Sequence, residues 1–595
     1  MRWGLSALTT LWVVALTVVG VIVGRVIAGL TGAVIAAVLG ASATVLAGFV
    51  PGMLEAARRR REDLVRLEEQ AAVAQERWDA VGEPAMDSAP RGPAALLRAD
   101  QKTVEFTGRD TELGVLRVWC TSTGARSVQT IVGAGGVGKT RLALQVASEW
   151  EVRGEWRRID TGQEAYAVAA ARGVTSGPVL LIVDYAESRH DLEALLRAVL
   201  ADPGPIRVLL VARALGEWWD RLIEKSAPAV GQMLTETEPI RLVESVAEGT
   251  SDVALVTAAV PQFARALKCA PPERIEFELP PHRVPVLVLH TAALVAVLRF
   301  RHDPAASLRI VVAEGVLEEL LEHEARYWRR MAAMASLPED GALLKPVVAA
   351  AALLGAASLA EAADLLMRVP DLADASPAQR RSWARWLYGL YPADSEGRLG
   401  SLQPDLLAEA HVVKQLVADT DLAAACLSGL PQWQAERALT VLARAWAHQE
   451  DAQRLISEAL HSDLTHLALP AALIALQTPS ALGGLLATAF QDAPAPQDVL
   501  IQIARALPFP SVVLAQAHLA VAWRVLRSLP PGAESAMRAE WSDRVGTLLS
   551  QLGRPAEALP ATEEAVAVYR ELAAANPDRY RPDLASTLSN LGTRF

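Results

Sequence analysis

The spacing of hydrophobic and polar residues divides the chain into an apolar N-terminus, a segment of alternating strand and helix patterns, and a long helical remainder. Between Leu5 and Val50 the one charged residue is Arg25. A single helix of that length would measure about 70 Å, more than twice the hydrocarbon core of a bilayer. The pattern therefore predicts a transmembrane helical hairpin over residues 1–54, with the basic run Arg58–Arg61 on the cytoplasmic side. A cleaved signal peptide is the alternative.

Residues 55–99 predict a charged helix followed by a proline-rich linker. Residues 100–244 then alternate short apolar runs with amphipathic helical patterns, as βαβ units do. The run SVQTIV, the run Val179–Val183 and the run Ile206–Arg213 predict strands of a parallel sheet that is buried on both faces. The predicted fold class of this segment is α/β, with a parallel sheet.

A glycine-rich loop joins the first of these strands to a helix. GAGGVGKT, Gly133–Thr140, fits the pattern G-x-x-x-x-G-K-[ST], and RLALQVASEW after it is amphipathic. Glycines let successive main-chain N–H groups approach phosphate oxygens, and the helix N-terminus adds its dipole. The loop predicts a P-loop NTPase core that takes ATP or ADP with Mg²⁺ as cofactors. The predicted nucleotide-binding residues are Gly133, Ala134, Gly135, Gly136, Val137, Gly138, Lys139, Thr140 and Arg141.

Residues in and near the loop have predicted chemical roles. Lys139 is expected to bridge the β- and γ-phosphates, while Thr140 and Asp184 are expected to ligate Mg²⁺. Asp184 ends an apolar strand at the sheet edge where ligands bind, and Tyr185 follows it instead of a second acid. Glu187 is the nearest candidate base, and a solvated loop acid is the equal alternative. Slow hydrolysis is therefore expected.

Arg213 ends another predicted strand at the same edge. It is expected to sense the γ-phosphate, because an arginine stabilises phosphoryl charge; a structural arginine at the sheet edge is the alternative. The candidate catalytic residues are Lys139, Asp184, Glu187 and Arg213.

After residue 244 the pattern becomes helical. Residues 245–335 predict a helical domain, and residues 336–415 a winged-helix-like domain with two short strands around the polar turn in WLYGLYPADSEGRLGSLQPD. Residues 416–540 predict helical repeats.

Residues 541–595 predict one tetratricopeptide-like repeat, because LSQLG at 549–553 recurs as LSNLG at 588–592. Such repeats bury their faces against neighbours, so we expect a truncated array, a fragment, or an array that a partner completes. The small residues expected where its helices touch are Ala556, Ala558 and Ala565.

Composition narrows the class of protein. The net charge of −11 argues against attraction to nucleic acid by bulk positive charge. The winged-helix-like segment also has no basic recognition helix, so no nucleic-acid partner is expected. Cys120, Cys269 and Cys426 lie far apart, which suits a reducing compartment and predicts neither a disulfide framework nor a zinc site.

The stretches FTGRDTEL, GAGGVGKT, LLIVDYAE, LLVARALGEWW and VPVLVLHTAAL occur in this order. Together they resemble the STAND class of signal-transduction P-loop ATPases, and especially bacterial members with tetratricopeptide repeats. By this resemblance Gly108 and Arg109 match a short motif near the nucleotide, and Pro285 matches a nucleotide-contacting proline. Asp405 lies where some relatives have a histidine–aspartate pair that holds the resting state, although Pro404 precedes it here.

The resemblance implies a membrane-anchored, ATP/ADP-dependent switch for signal transduction with slow ATP hydrolysis. Its helical repeats would sense a stimulus or bind protein partners, its ATP-bound subunits would form homo-oligomers, and its hairpin would contact the lipid bilayer. The expected location is the inner cell membrane, as a multi-pass protein with most of the chain cytoplasmic. One alternative is a scaffold whose nucleotide site is mainly structural. Another is a turnover enzyme such as a motor or kinase, for which the sequence shows neither a dense acid pair nor a second substrate site.

Overall fold

The computed structural model describes residues 92–244, 251–304, 308–312, 315–391, 399–478, 480–530 and 535–592. Two short 3₁₀ turns, Pro93–Leu97 and Ala99–Gln101, come first. A parallel sheet with flanking helices follows, and then a long succession of helices.

The central sheet is built from five short strands. They are β1 Arg126–Val132, β2 Glu155–Arg158, β3 Val179–Asp184, β4 Ile206–Ala212 and β5 Ile240–Arg241. All pair in parallel, in the order β2-β3-β4-β1-β5. Every residue of β4 is buried, as is β3 up to Val183, which is typical of apolar strands that helices cover on both faces. Strands β1, β3 and β4 coincide with the runs predicted from the sequence, whereas β2 and β5 were not predicted.

The register of the sheet brings the predicted site together. Strand β4 lies between β1 and β3, with Val132 opposite Ala212 and Asp184 opposite Val211. Because parallel strands end at one edge, the loop after Val132, the Asp184 side chain and Arg213 all reach the same edge of the sheet. Ligands of open parallel sheets bind outside this edge.

Helices follow most of these strands. They are α1 Asp110–Thr121, α2 Lys139–Trp150, α3 Ala167–Val174, α4 Leu192–Ala201, α5 Glu217–Lys225 and α6 Pro228–Thr235. A buried hydrophobic cluster fixes α1 and α2 on the sheet, and it includes Leu116, Ile131, Leu142, Val146 and Leu209.

The next part of the chain is almost entirely helical. Its helices are α7 Asp252–Ala266, α8 Val286–His302, α9 Gly315–Met334, α10 Gly341–Leu354, α11 Leu359–Leu365, α12 Pro377–Leu390 and α13 Asp405–Ala418. Two three-residue strands, β6 Glu276–Glu278 and β7 Arg309–Val311, pair in parallel beside them.

The remaining helices continue the array. They are α14 Thr420–Leu427, α15 Gln432–Ala445, α16 Glu450–Ser462, α17 Leu464–Gln477, α18 Leu482–Asp492, α19 Gln497–Ala506, α20 Ala515–Ser528, α21 Ser535–Gln551, α22 Pro555–Ala575 and α23 Pro577–Gly592. One buried hydrophobic cluster extends from Ala94 and α7 to Ala561 on α22. The helices after the sheet therefore share a continuous core, as helical repeats do.

In the segment predicted as a terminal repeat, α21 packs on α22 and α22 on α23, and its assignment as a tetratricopeptide-like repeat stays a prediction. Ala558 and Ala565 are buried between helices as predicted. The prediction for Ala556 is wrong, because this residue lies in the first turn of α22 on its exposed side.

The structure describes residues 341–391 and 399–418 as helices with a single bridge residue, Leu399. The strands predicted around the polar turn overlap residues 392–398, which lie outside the described residues. In the described part of this segment the chain is helical, and the division into domains stays a prediction.

The predicted fold class is wrong in its transmembrane component, and with it the predicted multi-pass location in the inner membrane. No helix among the described residues is both long enough and apolar enough to cross a bilayer. A crossing needs about 20 mostly apolar residues, whereas the apolar α8 ends after 17 and the longer α22 carries Glu563, Glu564 and Arg570. The predicted hairpin at 1–54, its lipid contact and the charged helix after it lie outside the described residues.

Candidate nucleotide-binding site

The glycine loop Gly133–Gly138 leaves β1 and leads into α2, in the strand–loop–helix order that the motif requires. Gly136 and Gly138 have φ angles of 77° and 97°, in the region that residues with a Cβ disfavour. At Gly133 an added Cβ would lie 2.7 Å from the carbonyl oxygen of Leu242. The path of the backbone therefore requires these glycines.

Lys139, the first residue of α2, folds back over the loop. Its Nζ donates hydrogen bonds to the carbonyl oxygens of Gly133 at 2.7 Å and Ala134 at 2.8 Å. Burial and the positive charge of Arg213 lower its pKa to about 8. The loop carbonyl groups thus bind the Lys139 ammonium group. A bound phosphate would compete with these carbonyl groups for the ammonium group.

Thr140 and Asp184, the two predicted magnesium ligands, lie in direct contact. The Thr140 hydroxyl donates to Oδ2 of Asp184 at 3.0 Å, and Oδ1 accepts from the main-chain N–H of Tyr185, also at 3.0 Å. Burial raises the pKa of Asp184. A hydroxyl and a carboxylate are hard oxygen donors of the kind that hold Mg²⁺ together with substrate phosphates. The residues present therefore fit the predicted ion.

Gly108 and Arg109 lie behind the loop in left-handed conformations, with φ of 75° and 61°. The Arg109 side chain is 4% exposed. It donates to the carbonyl oxygens of Val137, at 3.2 Å, and Val243, and pairs with Glu112 at 3.0 Å. In this structure Arg109 braces the loop through main-chain atoms, and its predicted contact with nucleotide stays a prediction.

Pro285 and Arg141 connect the loop region to neighbouring segments. Pro285 precedes α8, and the N–H of Leu287 in the first turn of that helix donates to the carbonyl oxygen of Gly136 at 3.1 Å. Arg141 donates to the carbonyl oxygen of Val104 at 3.1 Å. The helical part of the chain therefore contacts the glycine loop directly.

A cavity of about 600 Å³ opens over the loop. This volume lies within the range of small-molecule sites. Its polar lining includes the loop, Asp184, Glu187, Arg213 and Asp405. Its apolar lining includes Val104, Phe106, Leu255, Phe263 and Leu287. The same cavity is therefore lined by charged groups that suit phosphates and by an apolar surface that suits a nucleotide base.

Arg213 lies beside the loop, since an added Cβ at Gly135 would be 3.4 Å from its Nη1. Its Nη2, however, pairs with Glu409 at 2.7 Å and with Asp405 at 3.3 Å, both on α13. Burial alone would lower the pKa of Arg213, but these carboxylates raise it above its usual value. The predicted phosphate sensor is thus held by acids from the helical part of the chain.

Asp405 is the centre of a charged group, here called the Asp405 cluster. Its Oδ2 accepts from the Tyr185 hydroxyl at 2.7 Å and lies 3.5 Å from Arg444 Nη1. Burial would raise the pKa of Asp405, but Arg444 and Arg213 hold it below the usual value. The members of the cluster are Tyr185, Glu187, Arg213, Asp405, Glu409 and Arg444.

Glu187 occupies a 3₁₀ turn just after β3 and is 4% exposed. It is therefore a buried acid, and the alternative of a solvated loop acid does not hold. Among the described residues neither of its carboxylate oxygens has a hydrogen-bond partner. Arg444 Nη2 lies 3.5 Å from its Oε1. Burial raises the pKa of Glu187, and Arg444 opposes that rise.

Sequence reasoning missed Tyr185, Glu409 and Arg444 as members of the site. The sequence marks Tyr185 only as the residue in place of a second acid, and Asp405 only through a family resemblance. Arg444 lies 39 residues after Asp405 in a helix with no motif. No local pattern marks such a residue, because its partners come from the sheet edge and from α13.

No protein-family model matches the chain, and no curated protein matches it either. Among solved structures the chain is similar to a STAND protein with a tetratricopeptide repeat sensor from Pyrococcus horikoshii. The two share 12% identity over 86% of this chain and 82% of that one, with a TM-score of 0.22. This is the class that the sequence motifs resemble.

Two further similar structures are the RuvB Holliday junction branch migration motor of Thermotoga maritima and Cdc6p of Pyrobaculum aerophilum. RuvB has 13% identity, covers 49% of this chain and 90% of its own, and has a TM-score of 0.21. Cdc6p has 11% identity, covers 59% and 99%, and has a TM-score of 0.22. At such scores the likeness carries no conclusion about function, which depends on the geometry of the site.

Proposed function

We propose that this chain is a nucleotide-dependent switch. It binds ATP or ADP with Mg²⁺ over the glycine loop, hydrolyses ATP slowly, and couples the nucleotide state to its helical repeats, which sense a stimulus or bind protein partners. The observation that carries this proposal is the 3.0 Å contact between Thr140 and Asp184 at the loop, beside a cavity large enough for a nucleotide.

Each part of the site has a role in this proposal. Main-chain N–H groups of the loop and the N-terminus of α2 receive the phosphates. Lys139 moves from the loop carbonyls to the β- and γ-phosphates, and Thr140 and Asp184 hold Mg²⁺, which neutralises phosphate charge. The apolar lining of the cavity covers the base.

Arg213 supplies the coupling. It pairs with Glu409 and Asp405 of α13, and a γ-phosphate beside the loop would compete with these acids for the same guanidinium. ATP therefore weakens the hold of α13 on the sheet more than ADP does. A ligand shifts a conformational equilibrium only through such a difference in binding.

Calorimetric titration with MgATP and MgADP tests nucleotide binding. We expect Lys139→Ala to lower affinity roughly 10- to 100-fold, the effect of losing hydrogen bonds to charged groups. Lys225→Ala is the matched control, because Lys225 is exposed on α5 away from the cavity lining, and it should bind as the unaltered protein does. Equal affinity of the two variants contradicts the proposal.

Steady-state hydrolysis separates the remaining alternatives. Slow turnover with a mass that grows when a non-hydrolysable ATP analogue replaces ADP supports a switch whose ATP-bound subunits assemble. Many turnovers per second point to a motor or kinase. If the folded protein binds no nucleotide, the scaffold is the alternative that remains.

A further inference from the structure

Arg444 reaches the nucleotide site from a distant part of the chain. It lies in the last turn of α15, among the helices that follow the predicted switch domains. Its guanidinium lies 3.5 Å from Glu187 Oε1 and 3.5 Å from Asp405 Oδ2, and 4.6 Å from the ring centre of Tyr185. The side chain is 12% exposed, so these contacts form away from bulk water.

Glu187 is the acid at the sheet edge that Arg444 contacts, at the same 3.5 Å as Asp405 of α13. It lines the cavity, its side chain is 1% exposed, and neither carboxylate oxygen has a hydrogen-bond partner among the described residues. A base for water needs a carboxylate oxygen at the site that accepts no other hydrogen bond. Glu187 must also be charged before it can accept a proton.

The charges that face Glu187 come from three elements. Arg444 approaches from α15, Lys139 from α2 and Arg213 from the end of β4. Burial favours the neutral acid, and among these cations Arg444 opposes burial most strongly. Lys139 and Arg213 already have other partners in the loop and α13.

We propose that Arg444 is a positioning residue for ATP hydrolysis, which keeps Glu187 charged and directed toward the cavity as the base for the attacking water. The inference rests on the proposed function. In the reaction the water oxygen forms a bond to the γ-phosphorus, and the bond from that phosphorus to the β–γ bridging oxygen breaks. ADP leaves with that electron pair, and one proton of the water passes to Glu187.

This assignment makes hydrolysis depend on the position of α15. A shift of that helix by a few ångströms would remove the guanidinium from Glu187, and the acid would then take up a proton in its buried surroundings. The helical array therefore contacts the residues of the hydrolysis site through Arg444 as well as through the acids of α13.

The test is the dependence of kcat on pH, between about pH 5 and pH 9, where a bell-shaped profile reports the essential base. In Arg444→Met we expect the acidic limb, which reports the base, to move to higher pH by about one to three units, the usual effect of one nearby opposite charge. Each unit lowers kcat about tenfold at pH values below the limb. Arg444→Lys keeps the charge and should restore most of the original profile.

Arg437→Met is the matched control. Arg437 lies two turns earlier on the same helix, is half-buried, and donates to the carbonyl oxygen of Ala352 at 3.1 Å. We expect its pH profile to match that of the unaltered protein. In Glu187→Gln, adding Arg444→Met should produce no further shift. Thermal melting checks that each variant folds, and Arg444→Gln replaces Arg444→Met if the latter does not.

The outcomes separate the inference from the proposed function. An unaltered profile in Arg444→Met, an equal shift in Arg437→Met, or faster hydrolysis by Arg444→Met at every pH overturns the inference and leaves slow ATP hydrolysis in place. If the unaltered protein binds MgATP but does not hydrolyse it, both the enzymatic part of the proposed function and the role of Arg444 are overturned.

Discussion

The glycine loop and the Asp405 cluster border the same cavity but are assembled in opposite ways. The loop consists of six consecutive residues, Gly133–Gly138, and its conformation follows from glycines that tolerate positive φ and from the helix that begins after them. The cluster collects side chains from the segments just after β3 and β4 and from α13 and α15, so it exists only when the sheet and the helical array are packed together.

This difference indicates that the loop sets the affinity for nucleotide and that the cluster controls its coupling to the helices. A contiguous loop supplies the donors for phosphates from its own main-chain groups. The cluster holds Arg213 and Glu187 through residues more than 190 positions away along the chain. Substitutions in the loop should therefore change binding, and substitutions in the cluster should change stability and coupling.

The largest expected effect is on the cluster. Glu409→Ala leaves Arg213 buried with only Asp405 at 3.3 Å, and breaking a buried ion pair costs about 3–5 kcal/mol of unfolding free energy. Urea unfolding measures the change. Further replacement of Arg213 by methionine should recover part of the loss, because the unpaired charge is then gone.

Glu193→Ala is the matched control for this prediction. Glu193 pairs with Arg197 on the exposed side of α4, and exposed pairs contribute about 0–1 kcal/mol. If Glu409→Ala were no more destabilising than Glu193→Ala, the cluster would not join the sheet to the helical array as described.

The second effect concerns a buried acid that lacks the cations of the cluster. Glu324 on α9 accepts from the Ala94 N–H, and the Tyr391 hydroxyl lies 3.5 Å from its Oε2. Burial raises its pKa to about 7, and these donors only partly oppose the rise. A raised pKa means that the folded protein binds this proton more tightly than the unfolded one. The stabilisation is complete below the unfolded value of 4.5 and is lost as pH rises through about 7.

Unfolding measured from about pH 5 to pH 8 should therefore show a loss of about 3 kcal/mol that Glu324→Gln removes. Glu322→Gln is the control on the same helix, since Glu322 is exposed and pairs with Lys345 at 2.8 Å. Lys345 lowers the pKa of Glu322, so its titration lies below this window. A pH dependence that persists in Glu324→Gln would contradict the assignment.

The smallest effect is on the loop. Gly136 has φ of 77°, and an added Cβ would lie 3.1 Å from Leu287 Cβ and 3.2 Å from Pro285 Cβ. Gly136→Ala should therefore introduce about 1–2 kcal/mol of backbone strain, seen as a roughly tenfold loss of MgADP affinity.

Gly114→Ala is its counterpart, because an added Cβ at Gly114 in α1 meets no atom within 4 Å. This substitution should stabilise the helix by up to about 1 kcal/mol and leave affinity unchanged. Equal affinities in the two alanine variants would show that the loop tolerates a side chain at Gly136.

Much of the sheet and loop could be predicted because the signals are local. The apolar run of β3 ends at Asp184, and the motif fixes Lys139 and Thr140, so their meeting follows from parallel strands ending together. The cluster could not be predicted in the same way. Arg213 gave no sign that Glu409 would be its partner, because no periodicity relates β4 to α13.

The predicted membrane hairpin shows a different limit. An apolar run indicates that side chains avoid water, but it does not distinguish lipid from a protein core. Helix α8 shows this ambiguity, since ten of its residues are buried among neighbouring helices, and periodicity alone gives no indication of what surrounds such a helix.

The hydrogen bond from Leu287 N–H to the Gly136 carbonyl has a consequence for how the protein can open. The bond uses only main-chain atoms, so most substitutions leave it in place, and proline at position 287 is the direct way to delete its donor. An outward rotation of α8 would have to break this hydrogen bond. It would thereby change the conformation of the loop at the place where a phosphate would bind. Release of the hydrolysis product and the outward motion of α8 would then occur together.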